Sequence, residues 1–166
     1  MTEQQRYQVR FDWSVAGAHA VGDDADVIVW LDALDPVPAP LTDLPGGCAV
    51  VETGLAGAAE TAGWILALQE ARQRRTMVAL IGAGAPRGGG LRFAAEDLLA
   101  AGAVVDALES RGIDASSPEA AVADAAFRML RPAVRSLTAA VVGAGGAPSD
   151  GTAGGFVVRR NHPDVG

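Results

Sequence analysis

A stretch in the middle of the chain, residues 77–105, constrains the fold more than any other. It begins with a short apolar run from Met77 to Ile81, whose length and β-branched content favour a buried strand. A glycine-rich loop follows from Gly82 to Gly90, and then an amphipathic helix that carries Glu96 and Asp97 near its start. A strand, a flexible loop and an acidic helix start in this order are typical of ligand sites in α/β proteins.

The rest of the chain repeats the alternation of strands and helices. Ser117 and Pro118 have the pattern of a capped helix start, and Val122, Ala126 and Met129 are the predicted inner stripe of that helix. Strands that alternate with helices predict an α/β fold with a mainly parallel sheet. Besides residues 77–81, apolar runs predict strands at 27–31 and 48–51, and alternation of apolar and polar residues predicts one at 7–11. Helices are predicted at 14–21, with Ser14 as its cap, at 55–74 and at 118–131, and the helix that carries Glu96 is predicted to end near Ser110.

Length and composition predict a single folded domain. The chain has 166 residues, of which 49% are hydrophobic and 20% charged, so it can bury a core and fold. We predict one α/β domain over residues 1–142, whose last helical piece reaches about Val141. Glycine, alanine, serine and proline then predominate, so residues 143–166 are predicted to be a flexible tail. Within this tail, the run that starts at Phe156 is either a late edge strand or part of the tail.

Charge and cysteine content exclude several classes of function. The net charge of -7 opposes binding to nucleic acid, which requires a basic surface. The single cysteine, Cys48, excludes a disulfide within the chain and a thiolate metal cluster. No apolar run approaches the length of a membrane span. We therefore expect a cytoplasmic protein that binds neither nucleic acid nor membrane.

Several motifs together carry a resemblance to a known family. They are Leu91-Arg92-x-Ala94-x-Glu96-Asp97-Leu98-Leu99-x-Ala101-Gly102-Ala103-Val104, then Arg10-Phe11-Asp12-Trp13, the run from Asp26 to Asp32, Ala126-Phe127-Arg128 and Arg131-Pro132. With these motifs the chain resembles the 2-phosphosulfolactate phosphatase family over most of residues 7 to 140. The resemblance implies a three-layer α/β/α sandwich and Mg²⁺-dependent hydrolysis of a small phosphorylated organic acid.

Three carboxylates are the candidate catalytic and metal-binding groups. Asp32 follows the second predicted strand, and ligands of open α/β sheets bind where strands end. Glu96 and Asp97 match the acidic pair of the resembled family. The resemblance thus implies Asp32 and Glu96 as catalytic residues, and all three as ligands of Mg²⁺, which prefers oxygen ligands. The alternatives are a solvated carboxylate at a strand end and acidic side chains that complement a helix dipole.

The glycine-rich loop is the candidate phosphate site. Backbone N–H groups at Gly84, Gly88 and Gly89 are of the kind that surrounds a phosphate, and Arg87 adds positive charge. The loop contains neither a dinucleotide-binding fingerprint nor a P-loop, because the required glycines and the Gly-Lys-Ser/Thr sequence are missing. The alternative is a connector between strand and helix that binds nothing.

The chain also departs from the pattern of the resembled family. The proline-rich residues 33–47 replace a longer segment, Gly57 stands where the family has asparagine, and Ala85 where it has glutamate. Phosphate ester hydrolysis depends on positioned charge, so these losses favour a second hypothesis. In that hypothesis the chain is a non-catalytic binding module or a homo-oligomer, which associates through a sheet edge that the missing segment leaves open.

Overall fold

The computed structural model describes residues 4–33, 37–134 and 155–164. In the first half, the elements are β1 (Val9–Trp13), α1 (Ser14–Gly22), β2 (Val27–Leu31), β3 (Ala49–Thr53), α2 (Ala58–Arg72) and β4 (Val78–Gly82). They are followed by β5 (Ala85–Arg87), β6 (Gly90–Arg92), α3 (Ala95–Glu109), α4 (Pro118–Leu130) and β7 (Val157–Arg160). The helical piece predicted as far as Val141 and the flexible residues predicted at 143–154 fall on 135–154, outside the described residues.

Five strands form one mixed sheet in the order β1-β4-β2-β3-β7. Strands β1, β4, β2 and β3 are parallel to one another, and β7 pairs with β3 in the antiparallel direction. Every residue of β2 and β4 is buried, as expected of central parallel strands that are covered on both faces. The α/β fold with a mainly parallel sheet is therefore confirmed.

Two apolar clusters pack on opposite faces of the sheet and give the molecule three layers. On one face, Val29 and Leu80 of the sheet pack with Ile65 of α2 and Val104 of α3. On the other face, α1 and the segment at residues 39–48 pack together against the sheet. Strands therefore alternate their side chains between two cores, which is the α/β/α arrangement of open parallel sheets.

The two outer strands of the parallel part of the sheet, β1 and β3, both have further contacts. The outer edge of β3 pairs with β7, so β7 and not β3 is the edge strand on that side. At the other edge, Val9 forms a parallel bridge with Ser116. The side-chain amide of Gln4 also accepts from Phe11 N at 3.1 Å and donates to Phe11 O at 3.0 Å. These contacts satisfy backbone groups that would otherwise invite another strand to pair.

The buried face of α4 differs from the predicted stripe. Val122 is 62% exposed and Met129 is 80% exposed, whereas Ala123 is fully buried against α3. The reason lies in Gly102 of α3, because a Cβ atom there would come within 2.1 Å of Ala123 O and 2.6 Å of Phe127 Cβ. The two helices thus approach each other through small residues, which turns the larger apolar side chains of α4 outward.

The starts of α1 and α4 are built differently. The hydroxyl of Ser117 accepts from Ala120 N at 3.2 Å, which confirms the predicted cap of α4. Ser14 does not cap α1; it is the first helical residue and has a left-handed backbone conformation with φ of 62°. Of the helices in the described part of the chain, none is long and apolar enough to span a membrane.

Candidate functional site

The carboxyl ends of β2 and β4 meet at the position where the sheet topology favours a ligand site. These two strands are neighbours, and the segments that leave them pack on opposite faces of the sheet. A crevice opens between strands where their outgoing connections diverge in this way. The candidate residues Asp32 and Gly84 follow β2 and β4, and α3 begins beside them with Glu96 and Asp97.

Asp97 lies at the centre of this crevice and is 2% exposed. One carboxylate oxygen, Oδ1, accepts from Ala33 N at 3.0 Å, and the other, Oδ2, accepts from Gly84 N at 2.9 Å. Ala33 follows β2 and Gly84 follows β4. The side chain thereby joins the ends of two adjacent strands to the start of α3, and this is a structural role that Asp97 fulfils without any ligand.

The electrostatics of the crevice link Asp97 to the other two candidate carboxylates. The pKa of Asp97 is raised to about 6, chiefly by burial: the backbone N–H groups of Ala33 and Gly84 lower it, and the charges of Asp32 and Glu96 add smaller upward contributions. The mutual repulsion shows that Asp32 and Glu96 both lie within electrostatic range of Asp97. A cation bound here would relieve that repulsion and would favour the ionised form of all three.

Asp32 and Glu96 also have partners within the protein. Asp32 Oδ2 accepts from Val37 N at 2.8 Å, which holds the chain as it leaves β2. Glu96 Oε1 lies 3.3 Å from Arg92 Nη2, and Glu96 is 8% exposed. Within residues 4–33, 37–134 and 155–164, no three or more His, Cys, Asp or Glu side chains are arranged to hold a metal ion. Metal binding by these carboxylates stays a prediction.

The glycine-rich stretch forms a β-hairpin between β5 and β6. Gly88 and Gly89 have φ of 53° and 82°, the left-handed pair that a tight two-residue hairpin turn requires, and both are exposed. Arg87 is exposed at the same tip. Gly84 lies apart from them in the crevice; its φ is 66°, and a Cβ atom there would come within 2.6 Å of Leu91 Cδ1. Phosphate binding by this stretch stays a prediction.

The sequence interpretation missed a cleft at the outer edge of β1. Its volume is about 510 Å³, and its lining includes Phe11, Asp12 and Trp13 of β1 together with Glu119 and Val122 of α4. A sequence signal existed, because aromatic residues make up only 5% of the chain and two of them fall within three positions here. The contribution of α4 to this cleft could not be predicted, because the sequence analysis assigned Val122 to the buried face of that helix.

Comparison with known proteins adds no relative. No protein-family model matches the chain, and no curated protein matches it. The resemblance to the 2-phosphosulfolactate phosphatases therefore rests on the motifs quoted above.

Proposed function

We propose that the crevice between β2 and β4 binds Mg²⁺ together with a small phosphorylated organic acid. In this proposal the chain is a shortened, divergent protein similar to the 2-phosphosulfolactate phosphatases, and its ancestral reaction is hydrolysis of a phosphate monoester. The observation that carries the proposal is the position of the Asp97 carboxylate between the carboxyl ends of β2 and β4, within electrostatic range of Asp32 and Glu96.

The chemistry of the donors supports a hard divalent cation. Asp32 and Glu96 supply carboxylate oxygens, the ligands that Mg²⁺ prefers, and water completes such sites when few side chains are present. Asp97 contributes its charge at the crevice, because both of its oxygens already accept from backbone amides. Exposed Arg87 at the tip of the β5–β6 hairpin is the nearest candidate in this stretch for a phosphate oxygen.

The proposal predicts that Mg²⁺ affinity depends on pH. The pKa of Asp97 is about 6, so its carboxylate is mostly protonated at about pH 5 and ionised at about pH 7.5. Ionisation adds one negative charge beside the site, and we expect Mg²⁺ to bind more tightly as pH rises through 6. Calorimetric titration with MgCl₂ at both pH values measures this change, and equal affinities would contradict it.

The direct experiment combines Mg²⁺ titration with an assay of phosphate release. We expect saturable Mg²⁺ binding that Asp32→Asn abolishes, followed by release of phosphate from 2-phosphosulfolactate or a general phosphate monoester. The matched control is Asp114→Asn, which removes the same charge from an exposed residue close to the opposite end of β1. Absence of binding at millimolar Mg²⁺ in the wild-type protein would rule the proposal out.

A second candidate function is that of a non-catalytic binding module. It is favoured by the two backbone hydrogen bonds of Asp97, which give that carboxylate a structural role, and by Ala85 and Gly57 in place of polar residues. Mg²⁺ binding without phosphate release would support it. Self-association through the β3 edge is disfavoured, because β7 occupies that edge. A cytoplasmic location remains part of both proposals.

A further inference from the structure

The cleft at the outer edge of β1 combines apolar walls with negative charge. Phe11, Trp13, Leu98 and Val122 supply apolar surface, and Glu119 supplies a carboxylate. No arginine or histidine lines the cleft among the described residues. Its volume of about 510 Å³ falls within the range of about 300–1,000 Å³ that is usual for small-molecule sites. The cleft does not include Asp32, Glu96 or Asp97, so it is a separate site.

An aromatic surface extends from the cleft into solvent. Trp13 contacts Phe11 edge to face at a ring distance of 5.2 Å, and Phe93 lies 5.1 Å from Trp13 on its other side. Phe93, between β6 and α3, is 67% exposed, and Val122 of α4 is 62% exposed. Neighbouring exposed apolar side chains of this size mark ligand or partner sites more often than bare surface.

Two backbone conformations at the cleft are costly for the residues that adopt them. Gln4, which lines the cleft, has φ of 61°, and Ser14, which follows Trp13, has φ of 62°. For residues other than glycine, the left-handed backbone conformation costs roughly 1–2 kcal/mol.

Glu119 is the charged residue of the cleft whose carboxylate is available to a ligand. It is exposed in the first turn of α4, and in the part of the chain that the structure describes it makes no hydrogen bond or ion pair. The carboxylate of Asp12 lies on the opposite face of β1 from the Phe11 and Trp13 rings: its Cγ lies 2.8 Å from the position that a Cβ atom would take on Gly17 of α1, and its Oδ1 accepts from Trp13 N at 2.7 Å. Glu119 is therefore the carboxylate on the aromatic side of the strand. Carboxylates beside tryptophan and phenylalanine rings form the environment that attracts an organic ammonium ion, through ion pairing and cation–π contact.

We propose that this cleft binds a small organic cation, an ammonium ion with an apolar body, between the Trp13 ring and the carboxylate of Glu119. The overall charge of -7 adds to the attraction, because it raises the local concentration of cations. A neutral molecule of the same shape keeps the apolar contacts and loses the two electrostatic ones. The site therefore discriminates by charge rather than by shape.

The test compares choline with its neutral isostere, 3,3-dimethylbutan-1-ol, in the presence of EDTA. We follow the indole N–H resonance of Trp13 by NMR and assign it with Trp13→Phe. Choline is expected to shift this resonance saturably, with a dissociation constant on the order of 1–10 mM, and the alcohol to bind at least several-fold more weakly. Equal shifts with both compounds, or none with choline, would overturn the proposal.

Charge variants identify the groups responsible. We expect Glu119→Gln to weaken choline binding by about two- to fivefold, and Asp12→Asn to weaken it less, because the Asp12 carboxylate lies on the opposite face of β1. Glu60→Gln is the matched control, because Glu60 is an exposed glutamate in the first turn of α2 and lies outside the cleft. Equal weakening by Glu60→Gln and Glu119→Gln would overturn the assignment, and so would a Trp13 resonance that shifts on dilution without choline, which would identify a second copy as the occupant.

Discussion

At the scale of single residues, Asp97 shows that a candidate site carboxylate can have a structural role that needs no ligand. Its two oxygens accept from Ala33 N and Gly84 N, two residues that are 51 positions apart in the chain and follow β2 and β4. No local pattern joins positions 33, 84 and 97, so the sequence identified Asp97 as acidic and near a helix start without revealing its partners. The same burial that makes these hydrogen bonds possible raises the pKa of Asp97 to about 6.

The raised pKa of Asp97 makes stability depend on pH in a defined direction. Between its ordinary value of 3.8 and about 6, the folded protein binds a proton that the unfolded chain releases, so this group stabilises the fold at low pH and loses that contribution as pH rises. On lowering the pH from 7 to 5, we expect the free energy of unfolding of the wild-type protein to rise by about 1 kcal/mol more than that of Asp97→Asn. Urea unfolding of both proteins at the two pH values measures the difference. An identical pH dependence would contradict the burial argument.

At the scale of elements, the pairing of α3 with α4 determines which surfaces are left for ligands. Gly102 lets α4 approach so closely that Ala123 becomes the contact residue. Val122, on the neighbouring face of the same helix, then lines the cleft at β1. The interhelical distance is therefore part of the geometry of the cleft as well as of the core.

Two glycines in helices provide a matched test of this packing. Gly102→Ala is expected to destabilise the protein by about 1–3 kcal/mol, because the new methyl group overlaps Ala123 O and Phe127 Cβ. Gly63→Ala in α2 meets nothing within 4 Å, so we expect it to stabilise the protein by roughly 0.5–1 kcal/mol through helix propensity. Denaturant unfolding of the two variants gives both signs in one experiment. Equal effects would show that the α3–α4 contact tolerates separation.

The elements themselves were largely predictable, and their contacts were not. The apolar run at residues 27–31 coincides with β2, and the predicted strand at 77–81 is displaced by one residue from β4. A strand that is buried on both faces appears in the sequence as a short apolar run, so it can be recognised from neighbouring residues alone. The inner face of α4 depends instead on a glycine 21 residues away in another helix, and the hairpin of β5 and β6 depends on the conformations of Gly88 and Gly89.

At the scale of the whole molecule, the last described segment connects regions that are far apart in the chain. Arg160 of β7 donates to Cys48 O at 2.9 Å and to Pro45 O, and so holds the segment at residues 39–48 against the sheet. His162 is 5% exposed and lies 3.7 Å from Asp26 Oδ1 at the start of β2. Arg72 lies 2.8 Å from the same oxygen of Asp26, although without the alignment of a hydrogen bond.

The contacts of Arg160 predict the reactivity of the single cysteine. Cys48 is 1% exposed, and burial raises the pKa of its thiol. Without the guanidinium, the segment at residues 39–48 should open more often, and we expect Arg160→Ala to speed labelling of Cys48 by an aromatic disulfide reagent roughly ten- to hundredfold. Arg159→Ala is the control, because Arg159 pairs with Glu52 instead. Unchanged labelling in Arg160→Ala would show that β7 holds this segment without Arg160.

The late position of β7 in the sequence also sets an order of events during synthesis. A ribosome releases β1 to β4 long before it releases β7, whose Arg160 contacts a residue 112 positions earlier. Contacts so distant in sequence form late, because the intervening chain loses entropy when it closes the loop. Until then the β3 edge of each nascent chain is open to a strand of another chain. The interval between the release of β4 and of β7 is therefore the period in which this protein is most exposed to aggregation.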